Sequence, residues 1–479
     1  MFRRSLTVAW TIGVALSLGV VGCGPGGNGN GNANENGGGV EGVFYVSAVR
    51  GDDAGPGTDA SPWRTIQQAA ETLEAGQTVY IMAGTYAEQV IPRNSGSDGS
   101  PIVYAAVPGD AVTLDGEGIT LSKEDPEDMG GLIHISDLSY ITVSGLRIIN
   151  AGPGDNDAGI LVERSNYIII ENNTTYNTAS SGIGVWNCNH ITIDGNEVEL
   201  ACNDGEQECI SVAGTDTFEI RNNHIHDNGP GTIGGEGICP KDGSSNGRVF
   251  NNHVHDLNVR VGIYIDAWDK HTFNIEVFRN RVHDIAGADG LMFASEQGGL
   301  LENIRVYNNI AYQNGCSGVS VSVGNEDPNV ASHPLRDIYV INNTLYSNGS
   351  DACFGATWGG GISVDNPDVE NVVIRNNICS QNMLFQILIE GNVPAASLAS
   401  DHNLIDGFRD ELAGETRGDS YVEGDPLFAD AAGGDFRVGQ ASPAIDQGSS
   451  TEAPADDFDS SVRPQGAKPD IGAFESPSP

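Results

Sequence analysis

Three charged side chains stand out between residues 237 and 309, because the pattern around them does not call for charge. The stretch runs through three Gly-plus-apolar segments, GICPK (237–241), GIYID (262–266) and GLMFA (290–294), each followed by a second apolar run ending at Asn. Lys241 and Asp266 close the first two segments. Glu296 follows the third, and Trp268 lies just beyond Asp266. Period-two alternation turns positions two and four of each segment inward and position five outward. With neighbouring strands ~4.8 Å apart, Lys241 and Asp266 should be direct neighbours, and Glu296 should lie roughly 8 Å from Asp266 between backbones. Two carboxyl groups so placed suit cleavage of a glycosidic bond: one protonates the leaving oxygen, the other attacks or activates water. Ala213, Gly243 and Ala294 leave room beside them, and Trp268 offers a flat apolar face for a sugar ring. Lys241 is expected to hold Asp266 ionised, and Trp268 to raise the pKa of Glu296. That division makes Asp266 the nucleophile or base and Glu296 the general acid. Trp186, Glu236, Asp242, Lys270 and His271 complete the candidate substrate contacts, the last two on a rim loop or a plain polar turn.

The elements that must position these groups repeat. Asparagines recur at 173, 196, 223, 252, 280, 309, 343 and 377, at intervals of 23, 27, 29, 28, 29, 34 and 34 residues. An alternating run precedes each one, and a Gly-led apolar segment begins most units. Alternation says strand, and two or more short strands per unit of this length say solenoid. The asparagines suit an inward ladder of stacked amides. The outward column at position five reads Glu163, Trp186, Ala213, Lys241, Asp266, Ala294, Ser322, Asp365. If parity holds into the turn, position seven adds Cys188, Thr215, Gly243, Trp268, Glu296 and Gly324. A further column sets His226, His255 and His283 in register with Tyr176, Tyr312 and Tyr346. Stacked imidazoles can bind a transition metal, but the tyrosines favour a plain ladder of flat side chains, so no metal is assigned.

This repeat resembles the right-handed parallel β-helix of the pectin-lyase-like families over roughly residues 43–407. The resemblance implies an all-β solenoid of about ten coils, with N-terminal capping strands and a helix over Trp63–Leu73. It also implies a C-terminal capping module at GDPLFAD, DFRVGQASPAIDQG and KPDIGAFE. The domain reading is therefore 1–22 signal peptide, 23–41 tether, 42–410 β-helix with its front cap, and 411–479 C-terminal cap. Such folds host many chemistries. GIYIDAW with the later Glu296 is similar to the β-helix β-xylosidases, whose Asp works with a Glu one coil on. Glu236, Lys241 and Asn246 resemble the catalytic outline of chondroitinase B and related alginate lyases, which implies Lys241 as the base of a β-elimination. Asp266 stands where those lyases carry an Arg, so hydrolysis is preferred, a polysaccharide lyase is the alternative, and a non-catalytic glycan-binding or structural β-helix is the third reading. The expected ligand is a polysaccharide or oligosaccharide. No cofactor is required, although calcium is left open, with Asp52, Asp53 and Asp59 forming a solvated loop or a calcium site.

The N-terminal stretch carries Arg3 and Arg4 before an apolar run too short to span a membrane, and Val20-Val21-Gly22-Cys23 resembles a bacterial lipobox. The resemblance implies acylation of Cys23, membrane attachment through the lipid alone, and location in the cell envelope on the outer membrane or cell surface. The Gly/Asn-rich residues 25–39 suit a flexible tether. Of eight cysteines, seven follow Cys23, so at least one is unpaired within a single chain; Cys202 with Cys209 and Cys316 with Cys353 are candidate pairs. A net charge of −42 repels phosphate backbones and excludes nucleic acid as a partner. A monomer is expected.

Overall fold

Tandem asparagines turn the chain and then tie its coils together. The computed structural model describes residues 42–123, 128–229, 234–324 and 328–477; the signal peptide, Cys23 and the tether lie outside the described residues. In the pairs 172–173, 222–223, 251–252, 308–309, 342–343 and 376–377, the first asparagine is left-handed, with φ between 54° and 57°. Asparagine tolerates that region because its short side chain bonds locally. The second asparagine is buried and stacks on its counterpart in the next coil. From Asn173 through Asn196, Asn223, Asn252, Asn280, Asn309, Asn343 and Asn377 to Asn403, each Nδ2 donates to the next Oδ1 at 3.0–3.1 Å. A second line, Asn314–Asn348–Asn382, does the same at 2.9–3.0 Å.

Three strands lie between the corners of each coil, as in Ile263–Asp266, Thr272–Phe278 and Arg281–His283. Stacked in parallel, they form sheets of 10, 13 and 13 strands, here called the groove sheet, the second sheet and the third sheet. Period-two alternation places Ile263, Ile265, Ile275, Val277 and Val282 in one core that runs the length of the stack. The architecture is the expected right-handed parallel β-helix.

The front is closed by the helix Ile66–Thr72, started by Thr65, whose side chain accepts from Gln68 N. Glu88 accepts from the next two free amides, Ile66 N and Gln67 N, both at 2.9 Å. Asp53 is occupied in this cap, accepting from Arg64 N, Thr65 N and Thr65 Oγ1, while Asp59 pairs with Arg50. The back differs from a simple end cap. Val422–Glu423 adds the last strand of the third sheet, and the chain then folds back along the outer face of that sheet. Phe436 packs on Tyr312 at 5.0 Å, and Ala444 and Ile471 cover Ile378 and Leu404. The cause is visible in the outward residues there: Ile310, Ile378 and Leu404 are apolar, and need a cover.

Cys316 and Cys353 form a disulfide, whereas Cys202 and Cys209 remain buried thiols, as do Cys188, Cys239 and Cys379. The histidine column stacks, with ring centroids 5.3 Å (His226–His255), 5.1 Å (His255–His283) and 4.5 Å (His283–Tyr312) apart. Burial, then the neighbouring imidazoles, pushes His253 down to about 3. The amide ladder carries its own test. Asn280→Ala strips two donors and the acceptor shared by Asn252 N and Nδ2, and should cost roughly 3 kcal/mol or more in denaturant unfolding. Glu370→Ala, which removes an exposed pair with Arg336, should cost about 0.5 kcal/mol or less.

Candidate functional site

The groove sheet turns positions three and five of each strand outward. Position five carries Glu163, Trp186, Ala213, Lys241, Asp266 and Ala294 in register. Position three carries Gly184, Ser211, Cys239, Tyr264, Met292 and Ser320 beside them. Between the Lys241 and Asp266 strands only the end pairs of the ladder form; Pro240 has no N–H to offer there. Loops around Glu206–Glu208, Val259–Val261 and Phe354–Trp358 rise about the sheet to enclose a groove of about 1020 Å³. The expected parity fails at position seven. Cys188 and Thr215 point into the core or are fully buried, while longer turns in the next coils put Trp268 and Glu296 on loops. Trp268 is 43% exposed and left-handed at φ 48°.

Asp266 lies at the floor, 2% exposed. Its Oδ1 accepts from Trp268 N at 2.9 Å and from Glu296 N at 3.3 Å, so one oxygen fixes both loops. Tyr264 closes the network from the preceding outward position of the same strand, two residues before Asp266, its hydroxyl donating to Glu296 Oε1 at 2.7 Å. Gly324, at φ +84°, makes the approach possible: a Cβ there would meet Glu296 Cγ at 2.6 Å and the Tyr264 hydroxyl at 2.9 Å.

Lys241 is Asp266's register neighbour, but it turns the other way. Its Nζ bonds Glu208 Oε1 at 2.7 Å and Gln207 Oε1 at 3.1 Å. Burial is the largest single influence and lowers the Lys241 pKa; the charge and hydrogen bond of Glu208, with Cys239 and Glu236, together outweigh it and hold the ammonium above the usual lysine range. The expectation that Lys241 keeps Asp266 ionised is therefore corrected. Burial, then the charge of Glu296, pushes Asp266 up to about 7. Burial and Glu208 push Glu236 up to about 7, burial pushes Asp289 up to about 7, and burial pushes Asp365 up to about 6.

The groove thus gathers Lys241, Asp266, Glu296, Trp268, Trp186, Glu236 and Asp242. Lys270 and His271 are not among its lining. Lys270 Nζ pairs with Asp242 Oδ2 at 2.7 Å, and His271 turns away to Glu302 at 3.0 Å. Asn246 is also elsewhere. It sits on the second sheet, donating to Asp216 and accepting from Asn274, so the lyase outline Glu236–Lys241–Asn246 does not assemble. Tyr264 was missed by following only position five, although the same alternation points position three outward. Glu208, Arg260 and Asp289 enter from loops, where no period marks them.

The chain matches the family described as Pel9A-like, right handed beta helix region, over residues 44–357. An uncharacterized protein, YwoF, of Bacillus subtilis is 28% identical over 84% of this chain and 91% of its own length. Pectate lyase PEL9 of Emericella nidulans is 34% identical over 23% of this chain and 28% of its own. Among solved structures, pectate lyase Pel9A superposes with a TM-score of 0.52 at 16% identity, covering 90% of this chain and 96% of that one. XylC in complex with xylose gives 0.53 at 14% identity, covering 91% and 99%. Polygalacturonase from Erwinia carotovora gives 0.52 at 11% identity, covering 75% and 96%. At these identities the superpositions speak for the fold, and the sequence match over the groove-bearing coils decides the family. The chain belongs to the Pel9A-like right-handed β-helix family, a carbohydrate-active group with the pectin-lyase-like fold.

Proposed function

We propose that this chain is an enzyme that hydrolyses glycosidic bonds of a polysaccharide or oligosaccharide held in the groove, with Asp266 and Glu296 as the working pair. The observation that carries the reading is the network at the floor: a buried carboxyl pushed up to about 7, beside a second carboxylate already holding a tyrosine hydroxyl. A carboxyl that burial keeps protonated towards neutral pH is suited to act as the acid, with a neighbouring carboxyl left as base or nucleophile. Asp266 Oδ1 is taken by two amides, which leaves Oδ2 to carry a proton and pass it to the leaving oxygen. Glu296 then serves as nucleophile or as the base that takes a proton from water. The roles are the reverse of those expected from the strand alignment, because burial rather than Lys241 sets the charge of Asp266. Trp268 and Trp186, both lining the groove, supply stacking surfaces for sugar rings.

A lyase is the second reading, favoured by the likeness to the protein named Pectate lyase PEL9. It would need Lys241 to give up a proton while ion-paired to Glu208. On a panel of glycans, new reducing ends without the ultraviolet absorbance of an unsaturated product support hydrolysis; both signals together support elimination, and neither supports a glycan-binding or scaffolding role. Asp266→Asn and Glu296→Gln should each lower kcat by about 100-fold or more, whereas Lys241→Met should abolish turnover only if the lyase reading holds.

Stability supplies an independent check. An aspartate in the unfolded chain ionises near ~3.9, whereas folded Asp266 does so at about 7. The folded state therefore binds more protons in that window, and this group's contribution falls as pH rises from about 4 to 7. Asp266→Asn should melt a few degrees above wild type at about pH 8, and show little difference at about pH 4. For location, the basic, apolar and Cys23-containing N-terminal stretch supports lipid anchoring in the cell envelope. Cells fed labelled palmitate should label the protein, and Cys23→Ser should lose the label.

A further inference from the structure

On the third sheet, away from the groove, the strands His224–His226 and His253–His255 each turn their first and third residues outward, with Ile225 and Val254 in the core. Two parallel columns result: Glu197, His224, His253 and Arg281 in one, and Glu199, His226, His255 and His283 in the other. A packing ladder requires only that rings stack face to face within a column. Here the ring edges also meet nitrogen to nitrogen across the columns. His224 Nε2 lies 2.7 Å from His255 Nε2, and His253 Nε2 lies 2.7 Å from His283 Nε2.

A carboxylate stands behind each ring of the second column. Asp227, Asp256 and Asp284, held at φ 52–53°, bond Nδ1 of His226, His255 and His283 at 2.7–2.8 Å. An imidazole that donates Nδ1–H to a carboxylate presents a bare Nε2 lone pair, the form in which histidine binds metals. The Nε2 of His226 is buried without a hydrogen-bond partner, 3.7 Å from Glu197 Oε1. Two triads, His224–His253–His255 and Glu197–His224–His226, have ligand atoms that all lie within 4.8 Å of one another.

We propose that this patch is a binding site for a first-row divalent transition ion, with His224, His253 and His255 as ligands and Glu197 with His226 at its edge. The donor set selects the ion: neutral imidazoles favour zinc, nickel, copper or cobalt over calcium and magnesium. On binding, His224 and His253 change tautomer, each giving up its Nε2 proton and taking one at Nδ1 through solvent so that both stay neutral, and the metal–nitrogen bonds replace the His224–His255 and His253–His283 hydrogen bonds. Two nitrogens of one tetrahedral ion sit ~3.3 Å apart at ~2.0 Å metal distances, so the rings must part by about half an ångström. The side chain of His224, 41% exposed, has room for that. The site is independent of the chemistry assigned to the groove.

The test is titration of the tag-free mature chain with Co2+ and Zn2+, by calorimetry and by the visible cobalt spectrum. About one ion per chain, bound at micromolar or tighter concentration with a nitrogen/oxygen-type spectrum, is the expected result. His255→Gln and the double variant His224→Gln/His253→Gln should each weaken binding at least 100-fold. His190→Gln and His271→Gln, which alter the other outward imidazoles on the second sheet and its preceding turn, should leave it unchanged. Absence of binding to the folded wild-type chain at 100 µM metal overturns the proposal. So does a thiolate-type cobalt spectrum, or binding that survives loss of the three histidines in a chain that still melts cooperatively.

Discussion

Everything in this molecule depends on the register that buried asparagine amides impose on successive coils. Backbone pairing alone would tolerate a slip between neighbouring parallel strands, and a one-residue slip would exchange inward and outward faces. The Asn173-to-Asn403 line forbids it, because each amide has its partners only when the coils are aligned. Once register is fixed, side chains from distant parts of the sequence meet at predictable places. Lys241 beside Asp266 on the groove sheet and His226 beside His255 on the third sheet are two results of one constraint.

Above that frame, the candidate site is shaped by small departures from regularity. The turns after Asp266 and Ala294 are longer than those after Trp186 and Ala213, and the added residues bring Trp268 and Glu296 over the groove. Asp266 is then buried by the loops that it organises, through two hydrogen bonds to one oxygen. This burial, with the nearby Glu296 charge, raises its pKa, while Lys241 is drawn off by Glu208. A buried acid carries a stability cost. In the hydrolysis proposed above, the same burial supplies a proton donor close to neutral pH.

The fold was legible from the sequence because it is written in repeats. Alternation and asparagine spacing gave the strands, their stacking and the position-five column through Ala294, all of which the coordinates reproduce. The site was legible in part. Asp266, Glu296, Lys241 and Trp268 do converge on one groove, yet the expected ionised Asp266 is not found, since Lys241 is paired instead with Glu208 from an aperiodic loop. Tyr264 is readable by the same rule, since alternation turns position three outward as well as position five. The C-terminal segment was expected as a capping module; it adds the last strand of the third sheet and also runs along the flank, where it covers the outward apolar column at Ile310, Ile378 and Leu404. His224 and His253 lie outside the single stacked column that spacing picks out; their significance lies in nitrogens meeting across columns, which spacing does not reveal.

The central claim, that Asp266 is a proton-bearing acid near neutral pH, is open to direct measurement. Difference infrared spectroscopy of wild type against Asp266→Asn, followed through a pH titration, reports the carbonyl stretch of one protonated carboxyl. The account predicts that this band persists to about pH 6 and disappears with a midpoint at about 7. A midpoint near the ordinary aspartate value of ~3.9 would contradict it.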